Sequence, residues 1–393
     1  MENYSTAKRI DLLKPVKRVV VKAGSGVLTG KNGLNSRVIN NLTNDICSLR
    51  EGGIEVVLVS SGAIASGLKK IGLKRRPVSV SKQQATAAVG QSSLMMAYEK
   101  AFGRHGQVVA QILITRDDLN NRRRYLNARN TVFRLLAWKI VPVINENDTV
   151  VVDEIKFGDN DNLSAMVTNM TESHLLINLT DIDGLFDKDP RTHKDARLIS
   201  VVEKMGREVM RYANSIPGFL GTGGMASKIK AARKATIGGI PVIIANGRRQ
   251  GVLGDIFEGK NIGTLFVPQD TTICGRKQWI AFTKSQKGKI VIDQGAGEAL
   301  KKRGKSLLPS GIKEVMGNFS LGDSVVLLDE SNREIAVGMV NYQSGDIKKI
   351  MGLKSTEIES RLGYKHDDEV IHRDNLVITD GMEEGDGICQ LRE

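Results

Sequence analysis

Two lysines beside glycine-rich loops, and two clusters of Asn and Asp, carry the chemistry legible in this chain. Lys22 precedes Gly24-Ser25-Gly26, and Lys228 follows Gly221-Thr222-Gly223-Gly224 and Met225-Ala226-Ser227. Glycines let backbone N–H groups approach phosphate oxygens, and a helix N-terminus adds a favourable dipole. A lysine within reach supplies a compact positive charge. The polar clusters are Asn145-Glu146-Asn147-Asp148 and Gly158-Asp159-Asn160-Asp161. Such residues can grip an amine and a carboxylate, or organise lysines around phosphate; they also favour turns and helix N-caps. Two familiar nucleotide signatures are excluded. In GSGVLTG the third glycine falls one residue late for the dinucleotide fingerprint, and Ala299 occupies the first glycine position of a Walker A loop ending Gly304-Lys305-Ser306.

The elements that must hold these groups alternate. Continuous apolar runs at 17–23, 54–59, 108–114, 141–144, 175–179 and 241–245 read as buried strands. Between them, Val38, Ile39, Leu42, Ile46 and Leu49 recur at helical spacing before Gly52-Gly53, and the Ala-rich span 82–102 predicts a long helix. Further helices are predicted over 124–138 and 225–236. Apolar strands alternating with helices imply an α/β fold, its mostly parallel sheet covered on both faces. Ligands bind such sheets beyond the carboxyl ends of the strands. The motifs at 24–30, 60–63, 145–148 and 180–181 all fall there, which favours a site over a set of turns. After about 283–288 the pattern changes to short β-like runs at 289–292, 324–328 and 335–342, predicting a separate β-rich domain. The expected division is 1–282, a linker at 283–288, a second domain over 289–375, and a tail over 376–393.

Composition narrows the function classes. The chain has 393 residues, 41 of them Gly and 8 Pro, a glycine-punctuated rather than disordered composition. No segment approaches 18 consecutive apolar residues, and the N-terminus lacks a signal-peptide core, so a cytoplasmic protein is expected. Cys47, Cys274 and Cys389 have no metal-ligand spacing and fit a reducing compartment. Net charge is +13, carried unevenly: from Ile280 onward 16 Lys and Arg meet 19 Asp and Glu, against 41 and 25 before it. A basic larger part suits anionic small substrates, nucleotides and carboxylates, as well as nucleic acid.

The ordered stretches VVVKAGSGVLTG, VSSGAIASG, VINENDTV, FGDNDNLSA, LTDIDGLFDKDPR and GTGGMASK resemble the amino acid kinase family. LGDSVVLLDE and REIAVGMVNYQSGDIKKIMG resemble a PUA domain. The resemblance implies an α/β/α sandwich with a small PUA-like barrel, and, in this combination, the branch that phosphorylates the γ-carboxylate of L-glutamate with ATP at the start of proline biosynthesis. It implies catalytic roles for Lys22, Lys228 and Asp161. Substrate would be bound by Ser61, Asp148 and Asn160, with Ser61 and Asn160 donating to carboxylate and Asp148 pairing with the ammonium. ATP would be bound by Lys22, Thr180, Asp181, Thr222, Gly223, Gly224, Met225, Ala226, Ser227 and Lys228. Mg²⁺ would accompany the nucleotide without a named protein ligand. Inhibition by proline and a homo-oligomer are further implications. Gly26 departs from the pattern, standing where a second Ser or Thr is expected. Other readings are a related kinase for another amino acid, or an RNA-binding or RNA-modifying protein acting through the PUA-like part. Against the last, aromatic residues for base stacking are sparse there.

Overall fold

The computed structural model describes residues 2–30, 33–151, 160–214, 224–268 and 286–379. The chain divides into two compact units, Met1–Thr272 and Ile273–Glu393.

Eight strands build the main sheet of the first unit. They are β1 (Arg18–Ala23), β2 (Glu55–Ser60), β3 (Val109–Ile114), β4 (Val141–Glu146), β5 (Leu175–Thr180), β6 (Val201–Val202), β7 (Val242–Asn246) and β8 (Thr264–Phe266). The order is β3-β4-β2-β1-β5-β7-β8-β6. The six strands from β3 to β7 in that order are parallel, as the apolar runs predict. The last two depart from it: β8 runs antiparallel to β7 and parallel to β6.

Period-two alternation on β1 sorts the layers. Val19, Val21 and Ala23 join one core with Ile39, Leu42 and Ile46 of the helix Ser36–Glu51 and with Leu94, Tyr98 and Phe102 of the helix Val80–Gly103. Lys22 therefore leaves the opposite face, where it meets the helix Asn160–Met170. The helix Met225–Ile237 packs beside that one. The result is the predicted α/β/α layering.

Two local devices complete the frame. The helices Ala63–Lys70 and Val80–Gly103 touch backbone to backbone at Gly67 and Gly90. A Cβ on Gly67 would lie 1.9 Å from the Thr86 carbonyl oxygen, and one on Gly90 would lie 1.8 Å from that of Ala63. The N-terminal helix Glu2–Leu13, absent from the sequence reading, is anchored by buried Arg9. Its guanidinium donates to the carbonyls of Ser200 and Ile262 at 2.7 Å and of Gly263 at 3.0 Å.

The second unit has its own core, including Ile290, Leu327, Tyr342 and Ile347. Its strands are β9 (Gln286–Ile292), β10 (Ile312–Gly317), β11 (Ser324–Leu328), β12 (Glu334–Met339) and β13 (Leu376–Ile378). They form a mixed sheet in the order β10-β9-β11-β12-β13, with β9 and β11 parallel. Because β13 pairs with β12, ordered sheet extends past residue 375, where sequence reasoning began a tail.

Candidate active site

Strand register assembles the first cluster. Lys22 and Asn178 are Cα partners in the adjacent parallel strands β1 and β5, so their side chains leave the same face. Asp161, in the first turn of the helix Asn160–Met170, meets both. Its Oδ1 pairs with the Lys22 ammonium and accepts from Asn178 Nδ2 at 3.1 Å. Its Oδ2 pairs with Lys228 Nζ at 3.2 Å and accepts from Ser227 Oγ at 2.6 Å. Lys22, Asp161 and Lys228 are 4%, 2% and 7% exposed, too buried for a solvated surface pair. Burial by itself would raise the Asp161 carboxyl. The charges of Lys22 and Lys228, with hydrogen bonds from Lys22 and Ser227, outweigh it and hold the group far below the usual carboxylate range.

The strand ends supply the loops around this cluster. A Cβ on Gly24 would lie 3.4 Å from Lys22 Nζ, and one on Gly26 would lie 3.4 Å from the Asp181 carboxyl carbon. The two glycines thus leave room beside a lysine and beside the end of β5. Thr180 Oγ1 donates to Asp181 Oδ1 at 3.2 Å. Gly224 caps the helix that carries Met225, Ala226, Ser227 and Lys228. Thr222 and Gly223 lie outside the described residues, as do Gly158 and Asp159.

A second cluster is built from amides. Asn160 Nδ2 donates to Ser61 Oγ at 2.8 Å, to Asn145 Oδ1 at 3.0 Å and to the Ser60 carbonyl at 3.3 Å. Gly62, with φ 107°, turns the chain after Ser61 into the next helix through the left-handed region that only glycine enters cheaply. Asp148 lies in the turn after β4, outside this chain of bonds. Burial pushes its carboxyl up to about 6, partly offset by the charge of Arg76.

The structure thus joins Lys22, Asp161, Ser227 and Lys228, and separately Ser61 and Asn160. Sequence reasoning left Asn178 and Gln91 without a role, and placed Asn145 only within the polar cluster 145–148. Asn178 was visible as a lone amide inside the apolar strand LLINLT. Gln91 sits in an Ala-rich helix and gave no such signal.

Residues 17–246 match the model of the amino acid kinase family. This chain belongs to that family. The amino acid kinase match takes in β1 through β7 and every site residue above, and residues 288–362 match the PUA domain. Curated relatives include the glutamate 5-kinases of Syntrophotalea carbinolica, 51% identical over 94% of this chain and 99% of its own length, and Geobacter sulfurreducens, 51% identical over 94% and 100%. That of Geobacter metallireducens is 53% identical over the same shares, 94% and 100%. Among solved structures, UMP kinase from Bacillus anthracis aligns with a TM-score of 0.45 at 20% identity, covering 66% of this chain and 98% of that one.

Proposed function

We propose that this amino acid kinase transfers the γ-phosphoryl group of ATP to the γ-carboxylate of L-glutamate, giving L-glutamyl 5-phosphate and ADP, the first step of proline biosynthesis. Relatives about half identical over nearly the whole chain bear the name glutamate 5-kinase. The observation that carries the chemistry is the buried convergence of Lys22 and Lys228 on Asp161.

A glutamate side chain is already ionised near neutral pH, so no general base is required. One carboxylate oxygen attacks the γ-phosphorus, a P–O bond forms, and the bond to the β,γ-bridging oxygen breaks as ADP leaves with the electron pair. The barrier lies in bringing two anions together and stabilising the charge in transit, which is work for positioning and electrostatics. Lys22 and Lys228 neutralise the phosphates from opposite glycine loops. Asp161 holds both ammonium groups, and Ser227 and Asn178 hold Asp161. Thr180, Asp181 and the segment 222–228 hold the nucleotide, while Ser61, Asn160 and Asp148 hold glutamate.

Both Asp161 oxygens are engaged by donors, so this cluster suits an anion rather than a metal ion. Mg²⁺ would enter with ATP rather than on this cluster, and would supply charge neutralisation to the phosphates. Inhibition by proline, a homo-oligomeric state and a cytoplasmic location belong to the same reading, as does a regulatory or assembly role for the PUA unit.

The test is hydroxamate formation with Mg-ATP and hydroxylamine across L-glutamate, aspartate and N-acetylglutamate, with and without proline. Product from glutamate is expected. Product only from another acid overturns the substrate assignment.

A further inference from the structure

Gln91, on the helix Val80–Gly103, is 9% exposed and has no part in the chemistry above. Its Oε1 accepts from Asn145 Nδ2 at 2.8 Å. Asn145 Oδ1 in turn accepts from the Glu146 backbone N–H at 2.9 Å and from Asn160 Nδ2 at 3.0 Å. The two ends of a carboxamide have nearly the same shape, so the sense of such a chain is set by neighbours that have only one role. Two such neighbours are present. The Glu146 N–H can only donate, so the Asn145 atom beside it is oxygen. The Ser60 carbonyl can only accept, so the Asn160 atom beside it is nitrogen. Gln91 must then offer Asn145 its oxygen. At the far end Asn160 Oδ1 is left buried with no hydrogen-bond partner among the described residues.

A buried acceptor without a partner is costly, and a ligand that donates to it removes that cost. An ammonium group has three donors and no acceptor; a carboxylate has only acceptors. Sequence reasoning took the Asn160 amide as a donor to carboxylate, yet its nitrogen is already committed to Ser61, Ser60 and Asn145.

We propose that Gln91 is a positioning residue for recognition of the substrate's ammonium group: by accepting from Asn145 Nδ2 it steadies, together with the Glu146 N–H and the Ser60 carbonyl, the amide chain that leaves the Asn160 carbonyl free to accept from that group. This rests on the reading of Asn160 as a glutamate-binding residue. It makes the amide chain, together with Asp148, the device that selects a free amino acid over an acid lacking the amine.

The test compares the KM for L-glutamate with the inhibition constant of glutarate, which keeps both carboxylates and lacks the amine. Gln91→Met preserves volume and removes the accepting oxygen, so Asn145 Nδ2 loses its acceptor and the amide that takes Asn160 Nδ2 is held by the Glu146 N–H alone. The expected result is a KM for glutamate raised about tenfold, one oriented hydrogen bond, with the glutarate constant and the KM for ATP within about twofold. Gln91→Glu keeps an accepting oxygen and restores the preference. Gln91→Asn, too short to reach Asn145, repeats the loss in a second background should Gln91→Met fold poorly. Equal weakening of both acids, or an unchanged preference in the folded variants, overturns the proposal. A wild type that makes no glutamyl phosphate removes the function assignment itself, a failure seen without any variant.

Discussion

Replacing Asp161 by Asn keeps the shape of the most connected side chain in the site and deletes its charge. Oδ2 pairs with Lys228 Nζ at 3.2 Å and accepts from Ser227 Oγ at 2.6 Å, while Oδ1 takes the Lys22 ammonium and Asn178 Nδ2 at 3.1 Å. An amide nitrogen at either position faces a donor. The Ser227 hydroxyl can reverse its role; an ammonium cannot. Removing one partner of a buried ion pair costs roughly 3–5 kcal/mol. At about 2–4 °C per kcal/mol for a unit of this size, the Tm of ligand-free Asp161→Asn falls by roughly 6–20 °C. Phosphates return the negative charge that the carboxylate took away. Saturating Mg-ATP therefore raises the Tm of the variant by more than it raises the wild type's. Turnover falls by about 10²–10³, the scale for losing one preorganised electrostatic group. Thermal melts with and without Mg-ATP, alongside the hydroxamate assay, read both effects. A variant that melts with the wild type, responds to nucleotide as the wild type does and keeps its kcat would refute the reasoning.

Three further outcomes follow from the geometry. Asp148, raised to about 6 in the free protein by burial with Arg76 offsetting in part, is charged above that pH. The kcat/KM for glutamate is therefore full above pH 6 and drops about tenfold per unit below it, whereas Asp148→Asn gives a raised KM and no such limb; a persisting limb would exclude Asp148. Because its folded pKa is raised, this group contributes stability below its unfolded value near 4, and that contribution is lost as pH rises through about 6, so Asp148→Asn melts higher than wild type at pH 8 without ligand. Gly90→Ala drives a Cβ to within 1.8 Å of the Ala63 carbonyl oxygen and costs about 3 kcal/mol or more in urea unfolding, while Gly103→Ala, with nothing within 4 Å, is neutral or stabilising. Arg9→Met strands three carbonyls and lowers stability by roughly 3 kcal/mol, read as faster proteolysis of the N-terminal helix.

The parallel part of the fold was legible because Val- and Ile-rich runs buried on both faces have few other places to go. The rest lacked signal for physical reasons. β6 and β8, with two and three residues, are too short to show a period. The N-terminal helix is held by Arg9 donating to carbonyls about 190 to 250 residues away in sequence, a partnership without local pattern. In the second unit the helix Gln294–Arg303 reads QGAGEALKKR, whose two glycines and few apolar residues mark no clear helical face.

The site divides along a similar line. Lys22 stands out as a charge in the apolar strand RVVVKA, and a buried charge demands a partner. Which partner depends on register. Sliding β1 by two residues along β5 would keep every side chain on its present face, since alternation has period two. It would also carry Lys22 about 6.6 Å along the sheet, beyond reach of a carboxylate that holds it directly. Hydrophobic pattern alone does not choose between those registers, because Val19, Val20 and Val21 are all fully buried and a two-residue slip keeps each on its face. The observed pairing of Lys22 with Asn178, one bonded to each side of the same Asp161 oxygen, does choose. A buried ion pair is a poor source of stability but a strict judge of alignment. The cluster proposed to neutralise phosphate therefore also favours this register of the strands that carry it, so a variant that loosens Asp161 should disturb the loops after β1 and β5 together.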